Sequence, residues 1–155
     1  MSDNPPPVRR RLPCGVLIAD DHDASRSASR LVLEDSGFAV IEARSGFDAL
    51  VLAQICQPRI LLLDIVLPEI DGLQLTRMLR ADLKLRTCAI IAITAYTGHD
   101  YRDGAFAAGC DAFVTKPVPA PDLVELVRRY ARRPVVGASL PMSRAGETVG
   151  VTRAP

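Results

Sequence analysis

No stretch of this chain is long and apolar enough to cross a bilayer, since its uninterrupted hydrophobic runs fall well short of the roughly 20 residues a spanning helix needs. A secretory signal is missing too: the first residues, MSDNPPPVRRRLPCG, put proline and arginine where the apolar core of such a signal would lie. Charge of one sign is not in excess. With a net charge of +1, nothing in the overall balance draws the chain to nucleic acid or to a membrane surface. The four cysteines, Cys14, Cys56, Cys88 and Cys110, stand far apart, form no CxxC pair and have no histidine at metal-ligand spacing. They read as small apolar side chains in a reducing compartment, and a cytoplasmic location is expected. No GxGxxG follows the first candidate strand, which argues against Rossmann-type nucleotide binding. No helix-turn-helix pattern follows Arg133, so DNA binding is not expected.

What is present is an ordinary globular composition, 48% hydrophobic and 24% charged over 155 residues, enough for one domain with a sizeable core. Residues 1–13, with Pro5, Pro6, Pro7 and Pro13 and the triplet Arg9-Arg10-Arg11, are expected to be a disordered tail. Periodicity stops again after Arg133, and 134–155 is expected to be a second disordered tail. Between them, short apolar strands alternate with amphipathic helices. Strands are expected at 15–19, 39–43, 60–63, 88–95 and 111–115. The first helix is expected to bury Ala24, Ala28, Leu31 and Val32 and to end at Gly37. Ser45 should cap the second helix, with Phe47, Leu50, Val51 and Ile55 as its apolar face and Pro58 closing it. The third helix carries Leu75, Met78 and Leu79. The fourth, 100–108, is the weakest, because Gly104 inside it costs about 1 kcal/mol relative to alanine, and it should be mobile. Pro121 sits in the first turn of the last helix, where Leu123, Leu126, Val127 and Tyr130 follow helical spacing. Five such units imply an α/β fold with an open parallel sheet, helices on both faces and right-handed crossovers.

The centre of the chain is Arg59 to Gly72, RILLLDIVLPEIDG. Ile60 to Leu63 has the length and branching of a strand buried on both faces, yet it runs into Asp64. Burying a lone carboxylate is costly, so Asp64 belongs at the exposed carboxyl end of the strand. The other strands end in kind, at Asp20-Asp21, Thr94 and Lys116. Parallel strands would gather those groups at one edge of the sheet, where such folds bind ligands. Three carboxylates at close range repel without a cation, and oxygen-only donors suit a hard ion such as Mg²⁺. A carboxylate nucleophile, a hydroxyl donor and an ammonium beside a metal are the parts needed to form and hydrolyse an aspartyl phosphate.

With the acidic pair after the first strand, LLLDIVLPEIDG, the Thr-Ala of ITAY and FVTKP in this order, the segment from about Gly15 to Ala131 resembles a response-regulator receiver domain of two-component signalling. The resemblance implies a flavodoxin-like (βα)5 doubly wound sheet of strand order 2-1-3-4-5, with the receiver domain over 14–133. It implies that Asp64 accepts the phosphoryl group and that Asp21, Asp64 and the Val66 backbone carbonyl bind Mg²⁺, with Asp20 acting largely through water. Thr94 and Lys116 would hold the phosphoryl oxygens, the Lys116-Pro117 bond would be cis, and Phe113 with Thr94 would form the conformational switch. The partners implied are a sensor histidine kinase or histidine phosphotransfer protein and a downstream effector protein, the latter bound mostly by the last two helices and the strand between them. A stand-alone regulator, monomeric or weakly dimeric, is expected, one that catalyses only its own phosphorylation and dephosphorylation. A phosphorelay shuttle uses the same site, and a receiver-like binding module indifferent to phosphate is a further alternative. An aspartyl-nucleophile hydrolase fits poorly, because Val66 stands where such enzymes place an acid/base Asp.

Overall fold

A computed structural model describes residues 15–133 and 151–153. Strands β1 (Val16–Ala19), β2 (Val40–Ala43), β3 (Ile60–Leu63), β4 (Ala89–Thr94) and β5 (Ala112–Thr115) alternate with helices α1 (Asp23–Asp35), α2 (Gly46–Cys56), α3 (Gly72–Ala81), α4 (His99–Ala108) and α5 (Ala120–Ala131). The strands pair parallel in the order β2-β1-β3-β4-β5, the flavodoxin-like receiver fold.

Because side chains alternate across a strand and both faces are covered, each strand feeds two cores. Val16, Ile18, Ile60, Leu62 and Ile91 pack under α1 and α5, against Leu33, Leu123 and Val127. Leu17, Leu61, Leu63, Ile90 and Phe113 pack under α2, α3 and α4, against Ala49, Ala53, Leu75, Leu79 and Ala105. Truncating one of the fully buried leucines to alanine would cost about 2–5 kcal/mol.

Helix ends follow local chemistry. Ser45 accepts a hydrogen bond from the Asp48 amide (3.0 Å) at the start of α2, and the Asp71 carboxylate accepts from the Gln74 amide (2.9 Å) at the start of α3. Gly37, just past α1, has φ +93°, the left-handed conformation that glycine adopts without strain.

Three expectations need correction. In α1 the buried residues are Arg26 and Leu33, whereas Leu31 is 60% exposed and Ala24 and Ala28 are exposed. The helix is rotated because Arg26 turns inward to ion partners that no hydrophobic pattern reveals. In α2 the buried positions are Gly46, Ala49 and Ala53, and Phe47, Val51 and Ile55 face outward. That helix carries apolar residues on both faces, so close approach to its neighbours, not hydrophobicity, selects the small residues for the inside: a Cβ on Gly46 would collide with the Ile70 carbonyl oxygen. Finally, Val151–Arg153 forms a short strand, β6, antiparallel to β5, where a tail without structure was expected. The open edge of β5 carries unpaired backbone groups that a Val-Thr-Arg segment of suitable β-propensity can satisfy. The remainder of that stretch, and residues 1–13, lie outside the described residues.

Candidate functional site

Parallel pairing in register brings the strand ends together: Ala19 pairs with Leu63, and Thr94 with Thr115. Asp20 and Asp21 follow β1, Asp64 follows β3, Thr94 closes β4 and Lys116 follows β5. Backbone hydrogen bonds lock these turns to one another. The Asp64 amide donates to the Ala19 carbonyl (2.9 Å), and the Lys116 amide to the Thr94 carbonyl (2.8 Å). The Lys116-Pro117 bond is cis.

Lys116 Nζ bridges two carboxylates, donating to Asp20 Oδ2 at 2.9 Å and to Asp64 Oδ2 at 3.1 Å. The other oxygen of each carboxylate accepts a backbone amide, Asp20 Oδ1 from His22 (2.9 Å) and Asp64 Oδ1 from Val66 (3.1 Å). Asp20, Asp64 and Thr94 are buried, while Asp21 is exposed. Burial pushes the Asp20 carboxyl up, but hydrogen bonds from Lys116, the His22 amide and Ser25 outweigh it, and its pKa lies below the ordinary value. For Lys116, burial acts to lower the pKa and is outweighed by the bonds to Asp20 and Asp64, so the ammonium holds its proton more tightly than a free lysine. Thr94 Oγ1 accepts from the Tyr96 amide (3.3 Å), which leaves the hydroxyl proton available for another acceptor.

The sequence-derived set therefore converges at one place, with two exceptions of position. Phe113 is buried in the core beneath the site, on the α2, α3 and α4 side of the sheet. Val66 lies in the loop after Asp64, its side chain 44% exposed, and its amide bonds the Asp64 carboxylate.

Two residues that the sequence reading passed over belong to the neighbourhood. Arg26 is buried in α1 and donates from Nη1 to the Asp20 backbone carbonyl (2.8 Å), while its Nε stands 3.3 Å from Glu42 of β2 and its Nη2 pairs with Asp23. His22 completes a group with Asp20, Asp21 and Asp64 whose potential ligand atoms all lie within 4.8 Å of one another. Only Asp23 one turn earlier marks the first, and only adjacency to the acidic pair marks the second.

Three carboxylates gather here and only Asp20 and Asp64 pair with the lysine ammonium, which leaves uncompensated negative charge presented by oxygen donors. That donor set fits a hard divalent cation such as Mg²⁺. Beside it a cavity of about 270 Å³ opens between α1 and α5, lined by Asp20, Asp64 and Lys116 together with Ser25, Ser29 and Leu123.

Fold and acidic edge together define a receiver-type domain. The chain belongs to the response regulator receiver domain family, whose profile matches residues 16–128. It is 34% identical over 119 residues to the polar-differentiation response regulator DivK of Brucella anthropi, a match covering 77% of this chain and 97% of that protein. The DivK of Brucella ovis is 36% identical over 115 residues, with 74% and 94% covered. Among solved structures, a putative response regulator from Chloroflexus aurantiacus superposes with a TM-score of 0.74 at 32% identity, covering 78% of this chain and 99% of the other. The chemotaxis response regulator CheY4 of Vibrio cholerae shares the fold, with a TM-score of 0.71 at 24% identity, covering 76% and 98%. The protein is thus a two-component signal-transduction receiver and not a conventional enzyme. Among the described residues no helix is long and apolar enough to cross a membrane.

Proposed function

We propose that this protein is a DivK-like response regulator that takes a phosphoryl group onto Asp64 from a histidine kinase or histidine phosphotransfer protein in the cytoplasm. The observation that carries the reading is the placement of Asp64: a buried carboxylate at the carboxyl end of β3, 3.1 Å from the Lys116 ammonium and grouped with Asp20 and Asp21.

In this reading an Asp64 carboxylate oxygen attacks the phosphorus of a phosphohistidine, and the P–N bond to the donor imidazole breaks as the new P–O bond forms. Asp64 is held for that attack by the Val66 amide on one oxygen and Lys116 on the other. Lys116 then shifts its interaction from carboxylate to phosphoryl oxygen, and the Thr94 hydroxyl donates its free proton to a second one. Mg²⁺, held by Asp21, Asp64 and the Val66 carbonyl with Asp20 acting through water, would neutralise phosphoryl charge as it builds. The added charge draws Thr94 and Lys116 toward the phosphate, and Phe113, on the strand that ends at Lys116, moves with them to present a changed surface around α4, β5 and α5 to an effector protein.

The test is the intact mass of purified protein after incubation with Mg²⁺ and an acyl phosphate. One phosphoryl adduct is expected on wild type and none on Asp64→Asn or after chelation; an adduct on Asp64→Asn would overturn the reading. Neither Val66 nor Tyr96 carries a group suited to orienting an attacking water, so the phosphoryl group should be long-lived. Val66→Asn should shorten its half-life, and equal half-lives would contradict this account of hydrolysis.

A further inference from the structure

We infer that His22 is a nitrogen ligand to the cation at this site, making it selective for borderline transition-metal ions over Mg²⁺. The inference rests on the reading above that Asp21 and Asp64 hold a divalent cation, and it assigns the fourth member of the group.

His22 occupies the N-cap position of α1, with extended backbone (φ −86°, ψ 109°), yet its side chain makes no capping hydrogen bond to the helix. The ring instead turns the other way. Its Nδ1 stands 3.1 Å from Asp21 Oδ1 and 3.4 Å from Asp20 Oδ1, although the side chain is 72% exposed and free to point into solvent. An imidazole held there is tethered through its own amide, which donates to Asp20 Oδ1 at 2.9 Å. Backbone and ring thus converge on the same carboxylates.

The chemistry of that donor decides which ions gain. Mg²⁺ prefers oxygen ligands and gives up its waters reluctantly, so an imidazole offers it little. Along the series from Mn²⁺ to Ni²⁺ and Cu²⁺, affinity for mixed nitrogen and oxygen donors climbs, and imidazole suits these ions well. With three carboxylates the site is an oxygen cage. With His22 added it becomes an N/O site of the kind that Mn²⁺, Ni²⁺ and Zn²⁺ occupy. A competing role for the same geometry is that of a protonated counter-charge to Asp20 and Asp21, which a bound cation would displace.

Mn²⁺ supplies a readout independent of phosphorylation. Its electron paramagnetic resonance signal in protein solution at about pH 8, the upper end of the imidazole range, reports free ion, and titrating Mg²⁺ or Ni²⁺ into the complex reports their affinities by displacement. Pulsed measurements on bound Mn²⁺ report coupling to an imidazole nitrogen. We expect that coupling in wild type and in His99→Asn, and its loss in His22→Asn. We expect His22→Asn to weaken Ni²⁺ by about tenfold or more, the lower end of what even outer partners of metal ligands contribute, with Mg²⁺ affinity unchanged. Mn²⁺ that binds in a manner dependent on Asp21 and Asp64 but shows no nitrogen coupling overturns the inference and leaves the site reading intact. Equal or tighter binding of all ions by His22→Asn does the same, in favour of the counter-charge. Mn²⁺ binding unaffected by Asp21→Asn and Asp64→Asn overturns both.

Discussion

Gly72 is the residue on which stability and chemistry meet most closely. A Cβ there would lie 2.7 Å from the Asp64 carbonyl oxygen and 2.7 Å from the Ile65 Cα, both backbone atoms that yield only if the loop moves. Gly72→Ala should therefore slow phosphoryl uptake as well as destabilise, whereas Gly46→Ala, which collides with Ile70, should cost stability first. Overpacking of this kind costs about 1–3 kcal/mol and more where backbone is struck, and urea midpoints set beside the rate of adduct formation would separate the two. Equal slowing by both variants would contradict this division. Cys110 makes a second prediction at the same scale. Burial pushes its thiol up to about 11 from the ordinary 9.0. The folded thiol stays neutral while the unfolded one ionises, so the stability tied to it is whole below about pH 9 and is lost as pH rises toward 11. Replacing Cys110 by alanine should remove that part of the alkaline decline, a slope measured by denaturant unfolding at pH steps across the window. An unchanged slope would show that the thiol titrates alike in both states.

At the scale of elements, α5 and α2 show what a sequence does and does not disclose. In α5 the apolar residues Leu123, Leu126, Val127 and Tyr130 are all buried and the remaining face carries Glu125, Arg128 and Arg129, so periodicity alone picks the inside. In α2 only Asp48 is charged, and both faces look equally fit for burial. Its inward face is set by distance to the sheet and to the Pro68–Ile70 loop, which only tertiary structure specifies. Ile55→Ser should accordingly shift stability by less than about 0.5 kcal/mol, whereas Ala53→Leu should overpack the core and cost about 1–3 kcal/mol. A large loss from Ile55→Ser in thermal unfolding would place that side chain inside. Arg26 is hard to read for a related reason, since Asp23 one turn earlier is all that α1 itself discloses, and its other partners come from β2 and the β1–α1 turn. The strand β6 is the third such case. Three residues have no periodicity to read, and their pairing with Ala112, Phe113 and Val114 crosses a sequence gap that contains the whole of α5. The Lys116 amide donates to Thr94 of β4, and alternation back along β5 turns the Val114 amide to β4 as well and aims the Phe113 amide the other way, at β6. Hydrogen exchange should find the Phe113 amide protected, and deleting 150–155 should release it while Val114 stays slow. Indifference of Phe113 to the deletion would contradict the pairing.

For the molecule as a whole, the acidic edge was legible because each of its members is set by local sequence: an apolar strand followed at once by Asp20-Asp21, Asp64 or Lys116, or closed by Thr94. Parallel order then does the rest, carrying groups up to 96 positions apart to within hydrogen-bond distance, as Lys116 is to Asp20. Local sequence marked His22 and Arg26 only by position, beside the acidic pair and one turn after Asp23, and could not supply their contacts or the outward face of α2. Apart from Ser25 and Arg26 of α1, which bond Asp20, the two helical layers serve the chemistry by holding the sheet in register, which is why the central claim reduces to one carboxylate. Reduction of the phosphorylated protein with borohydride converts an acyl phosphate to the corresponding alcohol, and peptide mass mapping then reads its position. The account predicts homoserine in place of Asp64 in the peptide spanning Ile60 to Gly72, dependent on Mg²⁺ during loading. Homoserine at Asp20 or Asp21, or phosphate carried on a residue that borohydride leaves untouched, would contradict it.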